Sequence, residues 1–555
     1  ALAKCTFSKE LETEADKQGL ASFLKTKYSI ATLNTVYDVL KYSYLPFDDV
    51  PFERSVFQSQ HYRFPESYWL EKVKPISDEH EYLDNKLSTH PSIGERRRAL
   101  RAALNDFEDE GRSNYIVSEN RFKSVRQIAR FELPMLHLHD DELPEAIYTA
   151  YLLLREYPES AYLKKCLVKA LYLHTKFLNS EDYTTDITHN DMEGEAQQVH
   201  HFLDKIPAKE AILLALRHAW QLQQEYPKDQ ELQPIVADLF VELGEKYKSL
   251  SEFSGKPEPS EITAPPVVDS TKTESKDLSK YEKIRQQQSK ENTPGGTEYW
   301  RFAFAEFLTD TAFAAQYEKG LAEGKERQEE KDFYESAKGK KWLKKQRKKE
   351  DKHGVRLGID KVVVVNPFFL KLDVRKENAV QYIKTEMGQV NMRELIETAA
   401  KPSGLDVVML DISNLKTSQT DQFNDIRFLN EWFSEQVNHY DLTLTPGSNQ
   451  ALVNAIAEKY GTDYFLWTGV VSLREKNAGA VWKIMAGLVL YPALPFAIYD
   501  AVRPYHEMLH YSILFDVRTG KRQVIKFDFY KKNDTDGLVK AHLYDAFRQI
   551  KLSDK

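Results

Sequence analysis

Over the first 250 residues, apolar positions recur every three or four residues, with charged and polar residues between them. This spacing places the apolar side chains on one face of a helix. It predicts helices over residues 16–27 and 31–44, a helical stretch ending near Lys74, and a further helix after Pro91. Four longer helices are predicted after these, over residues 144–157, 161–178, 208–225 and 232–247.

A short signature closes the first helix of each later pair. The letters E-Y-P stand at 156–158 and again at 225–227, each time just before the second helix. Helix, break, helix is typical of tetratricopeptide-like solenoids, whose units of about 34 residues bury their apolar faces against neighbouring units. Two clear units with a degraded stretch between them, residues 179–195, predict a short repeat array over residues 111–252.

The pattern changes at residue 253. From there to residue 298, Pro, Ser, Thr, Lys and Glu predominate and aromatic residues are few. Such a segment cannot bury enough apolar surface to offset the entropy of ordering, so we predict a flexible linker. Residues 299–354 then predict one long helix, which begins aromatic and ends in a basic run.

Residues 355–555 show a third pattern, in which short apolar runs alternate with helical stretches. Runs of β-branched residues at 360–369, 405–412 and 462–473 are bounded by turn residues, as buried strands are. Residues 511–530 predict an antiparallel hairpin that turns at Thr519-Gly520. Helices are predicted between and after the strands, over residues 378–400, 421–439, 449–460 and 536–550. This end of the chain is therefore predicted to be an α/β domain of sandwich type.

Length and charge narrow the possible functions. A chain of 555 residues is too long for one hydrophobic core, so several domains are expected. Its net charge of −8 gives no general reason to expect a nucleic-acid partner. Two cysteines, Cys5 and Cys166, cannot form a disulfide framework and do not fix the redox compartment.

Candidate chemistry begins in the segment F-S-K-E-L-E-T-E-A-D-K-Q-G at residues 7–19. Glu12 and Asp16 are four residues apart, so they share one helix face, where one carboxylate can bind a metal and the other can orient a neighbouring ligand. The segment resembles the second metal-ligand segment of zinc metallopeptidases of the HtpX/BepA/CAAX-protease class. That resemblance implies that Glu12 is a zinc ligand and that Asp16 orients a neighbouring ligand without binding the zinc itself.

A second matching segment, S-T-H-P-S-I-G-E-R, occupies residues 88–96. It resembles the closing T-H-P-x-x-x-x-R segment of the same family. The resemblance implies that His90 lies over the metal and gates it, and that Arg96 packs near the site. Helical repeats follow at this point in the BepA branch as well, so we expect residues 1–110 to be the C-terminal half of a metallopeptidase-like domain. The predicted fold class is accordingly multidomain α and α/β, with a mainly helical metallopeptidase-like and repeat-containing N-terminal half.

The chain departs from that family in one respect. A catalytic zinc of this class needs two histidines and a glutamate from an H-E-x-x-H segment before the Glu12 segment, and the residues ahead of Glu12 contain none. An H-E-x-x-H does occur at residues 506–510, but it runs directly into the predicted hairpin. On a strand, residues four apart are separated by about 13 Å, which is too far for one metal. Whether the protein is an enzyme therefore stays open.

Two segments suggest contact surfaces. The basic run near residue 345 contains Lys341, Trp342, Lys344 and Lys345. This composition suits a solvated helix end, or contact with anionic lipid headgroups or an acidic partner, with Trp342 as an anchor at the interface. Residues 484–499 are uncharged and apolar, with Leu490, Pro492 and Phe496 among them. This run is too short to span a bilayer, which takes about 20 residues. It suits a core segment or a loop that contacts a membrane or a partner.

The leading functional expectation follows from the resemblance. It is a BepA-like, zinc-dependent factor in the periplasm, associated with the outer membrane, that serves quality control or assembly of outer-membrane proteins. Its partners would be those proteins or their assembly machinery, and no nucleic acid. The alternatives are a non-catalytic scaffold subunit of an outer-membrane protein complex and a cytoplasmic repeat protein without a membrane role.

Overall fold

The protein is mostly helical with one small mixed sheet. The computed structural model describes residues 2–77, 91–105, 107–179, 192–253, 299–342, 344–345, 357–373, 380–416, 418–438, 450–474, 506–530, 532 and 534–552. The chain divides into two compact units: Ala1–Glu225 with Lys246–Lys319, and Tyr226–Glu245 with Gly320–Lys555. The predicted linker, residues 253–298, lies outside the described residues except for its first position.

The first unit is built from helices. They are α1 (Leu2–Leu24), α2 (Leu33–Tyr42), α3 (Ile93–Leu104), α4 (Glu119–His139), α5 (Leu143–Glu156), α6 (Ala161–Asn179), α7 (Gln197–Lys205) and α8 (Ala208–Glu225). The core lies among α5, α6, α7 and α8, because each buries a run of apolar residues and α6 packs against both α5 and α8. The helices predicted over residues 31–44, after Pro91, and over 144–157, 161–178 and 208–225 are confirmed, and the one predicted over 16–27 is the end of the longer helix α1.

The structure of residues 43–77 differs from the predicted helix. The helical stretch expected to end near Lys74 is instead an extended segment with two 3-10 turns, Arg54–Val56 and Glu66–Tyr68. Four prolines, at positions 46, 51, 65 and 75, interrupt any helix here. Its aromatic side chains bury themselves around Phe202 of α7, with ring centroids of Phe57, Phe64 and Trp69 within 4.8 Å of that ring. Burial of these rings, rather than helix formation, stabilises the segment.

The long helix predicted over residues 299–354 is also different in the structure. Its aromatic start forms a 3-10 turn, Tyr299–Phe302, and the helix α10 begins only at Thr311 and ends at Glu335. The aromatic side chains explain the difference, since Tyr299, Phe302 and Phe304 are buried in the first unit's core. A second helical piece covers residues 337–342.

Within the second unit, α9 (Leu232–Lys246) crosses the later part of α10 at very short range. A Cβ atom added to Gly320 would lie 2.5 Å from the carbonyl oxygen of Phe240, and one added to Gly324 would lie 2.6 Å from that of Val241. Only glycine permits this approach of two helix backbones.

A cluster of ion pairs also links α9 and α10 at this crossing. Arg327 of α10 donates to Asp238 at 2.9 Å and to Glu242 at 3.0 Å, and its Nε lies 3.4 Å from Glu245. The side chains of these three α9 carboxylates are almost fully buried. Lys331 adds a second cation, 2.9 Å from Glu245. The charges of α9 are thus compensated by α10.

The C-terminal region contains a five-stranded mixed sheet in the order β2-β1-β3-β4-β5. Its strands are β1 (Lys361–Asp373), β2 (Asp406–Leu410), β3 (Tyr464–Arg474), β4 (His506–Asp516) and β5 (Lys521–Tyr530). β1 is parallel to β2 and β3, whereas β4 is antiparallel to β3 and to β5. The predicted strands are confirmed, and so is the hairpin turn, where Gly520 has a φ of 67°.

Helices cover both faces of this sheet. They are α11 (Tyr382–Ser403), α12 (Thr420–Asn438), α13 (Gln450–Tyr460) and α14 (Asp536–Lys551). Val362 and Val364 pack with α11 and α14, whereas the alternate residues Val363 and Val365 pack with α12 and α13. Alternation along a strand sends neighbouring side chains to opposite faces, so the domain has three layers.

Candidate functional site

The two motif segments meet in the first unit. Arg96 on α3 forms a bidentate pair with Asp16 on α1, with Nε at 2.7 Å and Nη2 at 2.6 Å from the two carboxylate oxygens. Its Nη1 lies 3.3 Å from Oε2 of Glu12. One guanidinium therefore contacts two carboxylates that are separated by one helical turn, and all three side chains are only partly exposed.

Local sequence explains why Arg96 stands there. Ser92 and Glu95 form a capping box, in which each side chain accepts a hydrogen bond from the backbone N–H of the other residue. This arrangement fixes the start of α3 and so the direction of its first turn, which carries Arg96. Hydrogen bonding to Asp16 raises the pKa of Arg96 above its ordinary value, so the cation is present at every pH of interest.

A cavity of about 660 Å³ opens beside this contact, between α1 and α3. Tyr37 of α2 borders it, and the guanidinium of Arg96 lies 6.0 Å from the centre of the Tyr37 ring. Burial, followed by the negative charge of Asp16, raises the pKa of Tyr37. The tyrosine is therefore a neutral hydrogen-bonding group at physiological pH.

These residues do not make a complete zinc centre. In the part of the chain that the structure describes, no three His, Cys, Asp or Glu side chains are grouped so that they could hold a metal. Both carboxylate oxygens of Asp16 accept hydrogen bonds from Arg96, so Asp16 is not available as a metal ligand. Of these residues, Glu12 alone could bind a metal, and it would supply one ligand. His90 lies outside the described residues. We therefore derive no catalytic step through zinc from this arrangement.

The late H-E-x-x-H segment forms the start of β4, as its position before the hairpin predicted. His510 is fully buried and its ring stacks on His542 of α14, with centroids 3.6 Å apart. Neither ring nitrogen of His510 has a hydrogen-bond partner among the described residues. The strand geometry separates residues 506 and 510 by about 13 Å, so they cannot share one metal.

A polar network that the sequence did not reveal lies next to His510. Ser512 Oγ is 3.1 Å from Nε2 of His542, whose Nδ1 is 2.5 Å from a carboxylate oxygen of Asp528. The order serine, histidine, carboxylate is that of a nucleophilic triad. Ser512 and His542 are nevertheless buried, and Ser512 also contacts Thr468 at 2.8 Å. A serine without solvent access cannot attack a substrate, so we assign the network to the support of the sheet and α14.

This network makes the C-terminal domain sensitive to acid. Burial, and then the neighbouring His542, hold the pKa of His510 well below its ordinary value. Burial also lowers the pKa of His542, against the opposing charge of Asp528, whose own pKa the hydrogen bond to His542 lowers to about 2. A histidine that stays neutral when folded stabilises the fold fully above its unfolded pKa of about 6.5, and that stability falls as pH drops below it.

We therefore expect His510→Leu to flatten the pH dependence of stability. Below about pH 6.5, each such histidine contributes a slope of up to about 1.4 kcal/mol per pH unit, and the variant lacks one of them. The check is urea unfolding of both proteins at pH 7.5, 6.5 and 5.5, with tryptophan fluorescence as the probe. Equal slopes in the two proteins would contradict the assignment.

The two predicted contact surfaces have different outcomes. Lys341, Lys344 and Lys345 are exposed, and Trp342 is exposed as well although its ring contacts Phe333 and Tyr334. The apolar run with Leu490, Pro492 and Phe496 lies outside the described residues. Among the helices that the structure describes, none combines the length and apolar character needed to cross a bilayer.

The chain matches no family model, no curated protein and no solved structure. A functional assignment therefore rests on the contacts between residues and on the motif resemblance.

Proposed function

We propose that residues 1–110 are the C-terminal half of a zinc-metallopeptidase-like domain of the HtpX/BepA type. The protein would serve quality control or assembly of outer-membrane proteins in the periplasm. One observation carries the proposal: Arg96 contacts both Glu12 and Asp16, although Arg96 and Asp16 are 80 residues apart in the chain. Two segments that resemble parts of one metal site thus lie together in space.

In this proposal, the three residues have separate roles. Glu12 would offer one oxygen to zinc, while Asp16 would hold Arg96 in place through its bidentate contact. Arg96 would compensate the charge of both carboxylates. His90 would gate the metal, as the resemblance implies.

The helices α5–α8 support the part of the proposal that concerns partners. Helices that stack side by side offer long surfaces to extended or unfolded segments of other proteins. Here α6 packs against α5 and α8, with a continuous buried core. Such a surface next to a peptidase-like domain suits a factor that handles other proteins.

A scaffold is the second candidate, and the same contact favours it. Because Arg96 already pairs with both carboxylates, it joins α1 to α3 without any metal. In a scaffold, Glu12 and Asp16 would serve only to hold these helices together as one subunit of an outer-membrane protein complex.

Zinc content separates the two candidates. We would purify the natural full-length protein and its Glu12→Gln and Glu14→Gln variants without chelators and measure metal by elemental analysis. Glu14 is the matched control, since it lies on the same helix and accepts a hydrogen bond from Gln18 at 3.1 Å. If the natural protein supplies the histidine ligands of an H-E-x-x-H segment, the expected result is about one zinc per chain in the wild type and in Glu14→Gln, and clearly less zinc in Glu12→Gln, which lacks the carboxylate ligand.

Two other outcomes would overturn the peptidase proposal. Wild-type protein without zinc would favour the scaffold. Zinc retained in full by Glu12→Gln would mean that this carboxylate is not a ligand.

A further inference from the structure

Strand β5 leaves one edge of the sheet open. It is the last strand in the order β2-β1-β3-β4-β5 and has ten residues. Its backbone pairs with β4 on one side, and in the described part of the chain no backbone group bonds to its other side. The opposite edge strand, β2, has only five residues, a length that limits pairing with other chains. β5 is therefore the edge on which a further strand could align.

Two aromatic side chains on one face of β5 are exposed to solvent. Phe527 is 38% exposed and Phe529 is 48% exposed. Residues two apart on a strand point to the same face of the sheet, so the two rings lie side by side along the open edge. A second strand beside β5 would shield both rings from water.

The other face of β5 carries charges of both signs. Val524 on this face packs with residues of α11 and α14. Lys526 lies on the same face, 3.5 Å from Asp528 and 3.5 Å from Asp545 of α14. A lysine on an edge strand commonly opposes pairing with another chain. Here its charge is compensated by carboxylates, so it does not exclude a neighbouring strand.

The sequence of β5 complements itself in one antiparallel register. If β5 pairs with a second β5 around Phe527, then Phe527 lies opposite Phe527, and each Lys526 lies opposite Asp528 of the other copy. The remaining opposed positions are Val524 with Tyr530 and Ile525 with Phe529, all apolar or aromatic in the sequence. Directly opposed residues of antiparallel strands have Cβ atoms about 4.5–5.5 Å apart, so such pairs are in contact.

The neighbouring registers are disfavoured by charge. Pairing centred one residue earlier would set Lys526 opposite Lys526, and pairing centred one residue later would set Asp528 opposite Asp528. Like charges directly opposite each other destabilise a pair of strands. Phe527 is therefore the centre around which both the apolar and the charged residues of β5 match.

We propose that two copies of this chain pair antiparallel through β5, related by a two-fold axis at Phe527. The five-stranded sheets of the two copies would then join into one continuous sheet. A two-fold contact uses the same surface on both copies, so that surface has to complement itself. Binding of an unrelated peptide would not require this property, and the self-matching register therefore favours a second copy as the occupant.

This inference goes beyond the proposed function and does not rest on it. β5 belongs to the second unit, whereas Glu12, Asp16 and Arg96 belong to the first. A failed zinc measurement and a failed dimer measurement are therefore separate results.

The test is sedimentation velocity of the full chain over a range of concentrations. Phe527→Lys and Phe527→Glu each place two like charges at the axis, and we expect each to raise the dimer dissociation constant about tenfold or more. Mixed in equal amounts, the two variants place opposite charges at the axis and should form a heterodimer. The matched control is Phe423→Lys on α12, a phenylalanine that is 40% exposed in the same unit, and it should leave the dimer unchanged.

A second measurement needs no substitution. We expect hydrogen exchange in β5 peptides of the wild-type chain to slow when the protein concentration rises from about 1 to about 100 µM, because the free edge becomes paired. This result decides the matter if the variants at position 527 lose the far-UV circular dichroism of the wild type.

Three results would overturn the proposal. One is a wild-type chain that stays monomeric, with β5 exchange independent of concentration. A second is a dimer that Phe527→Lys and Phe527→Glu both leave intact, which would place the contact elsewhere on the chain. The third is a pair of folded, monomeric variants that do not associate when mixed, which would mean that Phe527 does not lie opposite itself.

Discussion

Replacing Arg327 with methionine is expected to destabilise the α9–α10 crossing by about 3 kcal/mol, because a buried charge that loses its partner costs about 3–5 kcal/mol and Arg327 is partly solvated. Methionine keeps much of the side-chain volume, so the loss reports on charge. Asp238, Glu242 and Glu245 would remain buried after losing this cation, while Lys331 would still pair with Glu245. The measurement is hydrogen exchange by mass spectrometry on peptides from α9 and α10.

Two further variants make this prediction specific. Lys325→Met removes a cation from the same helix, but Lys325 is largely exposed and its partner Glu329 is 4.0 Å away, so the expected loss is below about 0.5 kcal/mol. Adding Asp238→Asn and Glu242→Gln to Arg327→Met should recover part of the stability. If Arg327→Met and Lys325→Met behave alike, the cluster contributes nothing to the crossing.

Replacing Gly320 with alanine is the second substitution with a large expected effect. The new Cβ would lie 2.5 Å from the carbonyl oxygen of Phe240, and a backbone atom cannot rotate away as a flexible side chain can. Overpacking of this kind costs about 1–3 kcal/mol, and contact with backbone places the loss at the upper end, about 3 kcal/mol. Thermal unfolding and hydrogen exchange in α9 would both report it.

Gly537→Ala is the matched control for this substitution. Gly537 lies in the first turn of α14 in the same unit, and a Cβ there would meet nothing within 4 Å. Alanine at that position should be neutral or stabilise the protein, because it lowers the entropy of the unfolded chain. A stable Gly320→Ala protein with unchanged exchange would mean that the two helices can separate at little cost.

Periodicity predicted most of the regular elements, because burial imposes it directly. The valines of β1 and the apolar run of β3 are buried on both faces of the sheet, so their sequences are apolar at most positions and stand out. The hairpin was predicted from the turn residues Thr519 and Gly520, and Gly520 does adopt the positive φ that favours glycine in such a turn. Bounds of the helices around the sheet were also predicted to within a few residues.

Residues 43–77 could not be predicted in the same way. Their aromatic rings bury themselves against Phe202, which is more than 120 residues later, and no local period records such a partner. The network of Ser512, Asp528 and His542 was missed for the same reason, since it joins β4, β5 and α14. Of the candidate site, the sequence predicted that Arg96 approaches Glu12 and Asp16 only through the motif resemblance.

The crossing of α9 and α10 has a consequence for dividing the protein into pieces. A polypeptide cut between residues 253 and 298 would leave Asp238 and Glu242 on one fragment and Arg327 on the other. One fragment would then expose the carboxylates of α9 and the other would expose the arginine of α10 that pairs with them. The two fragments, mixed at neutral pH, should recombine in one-to-one stoichiometry, and the Gly320→Ala fragment should fail to do so.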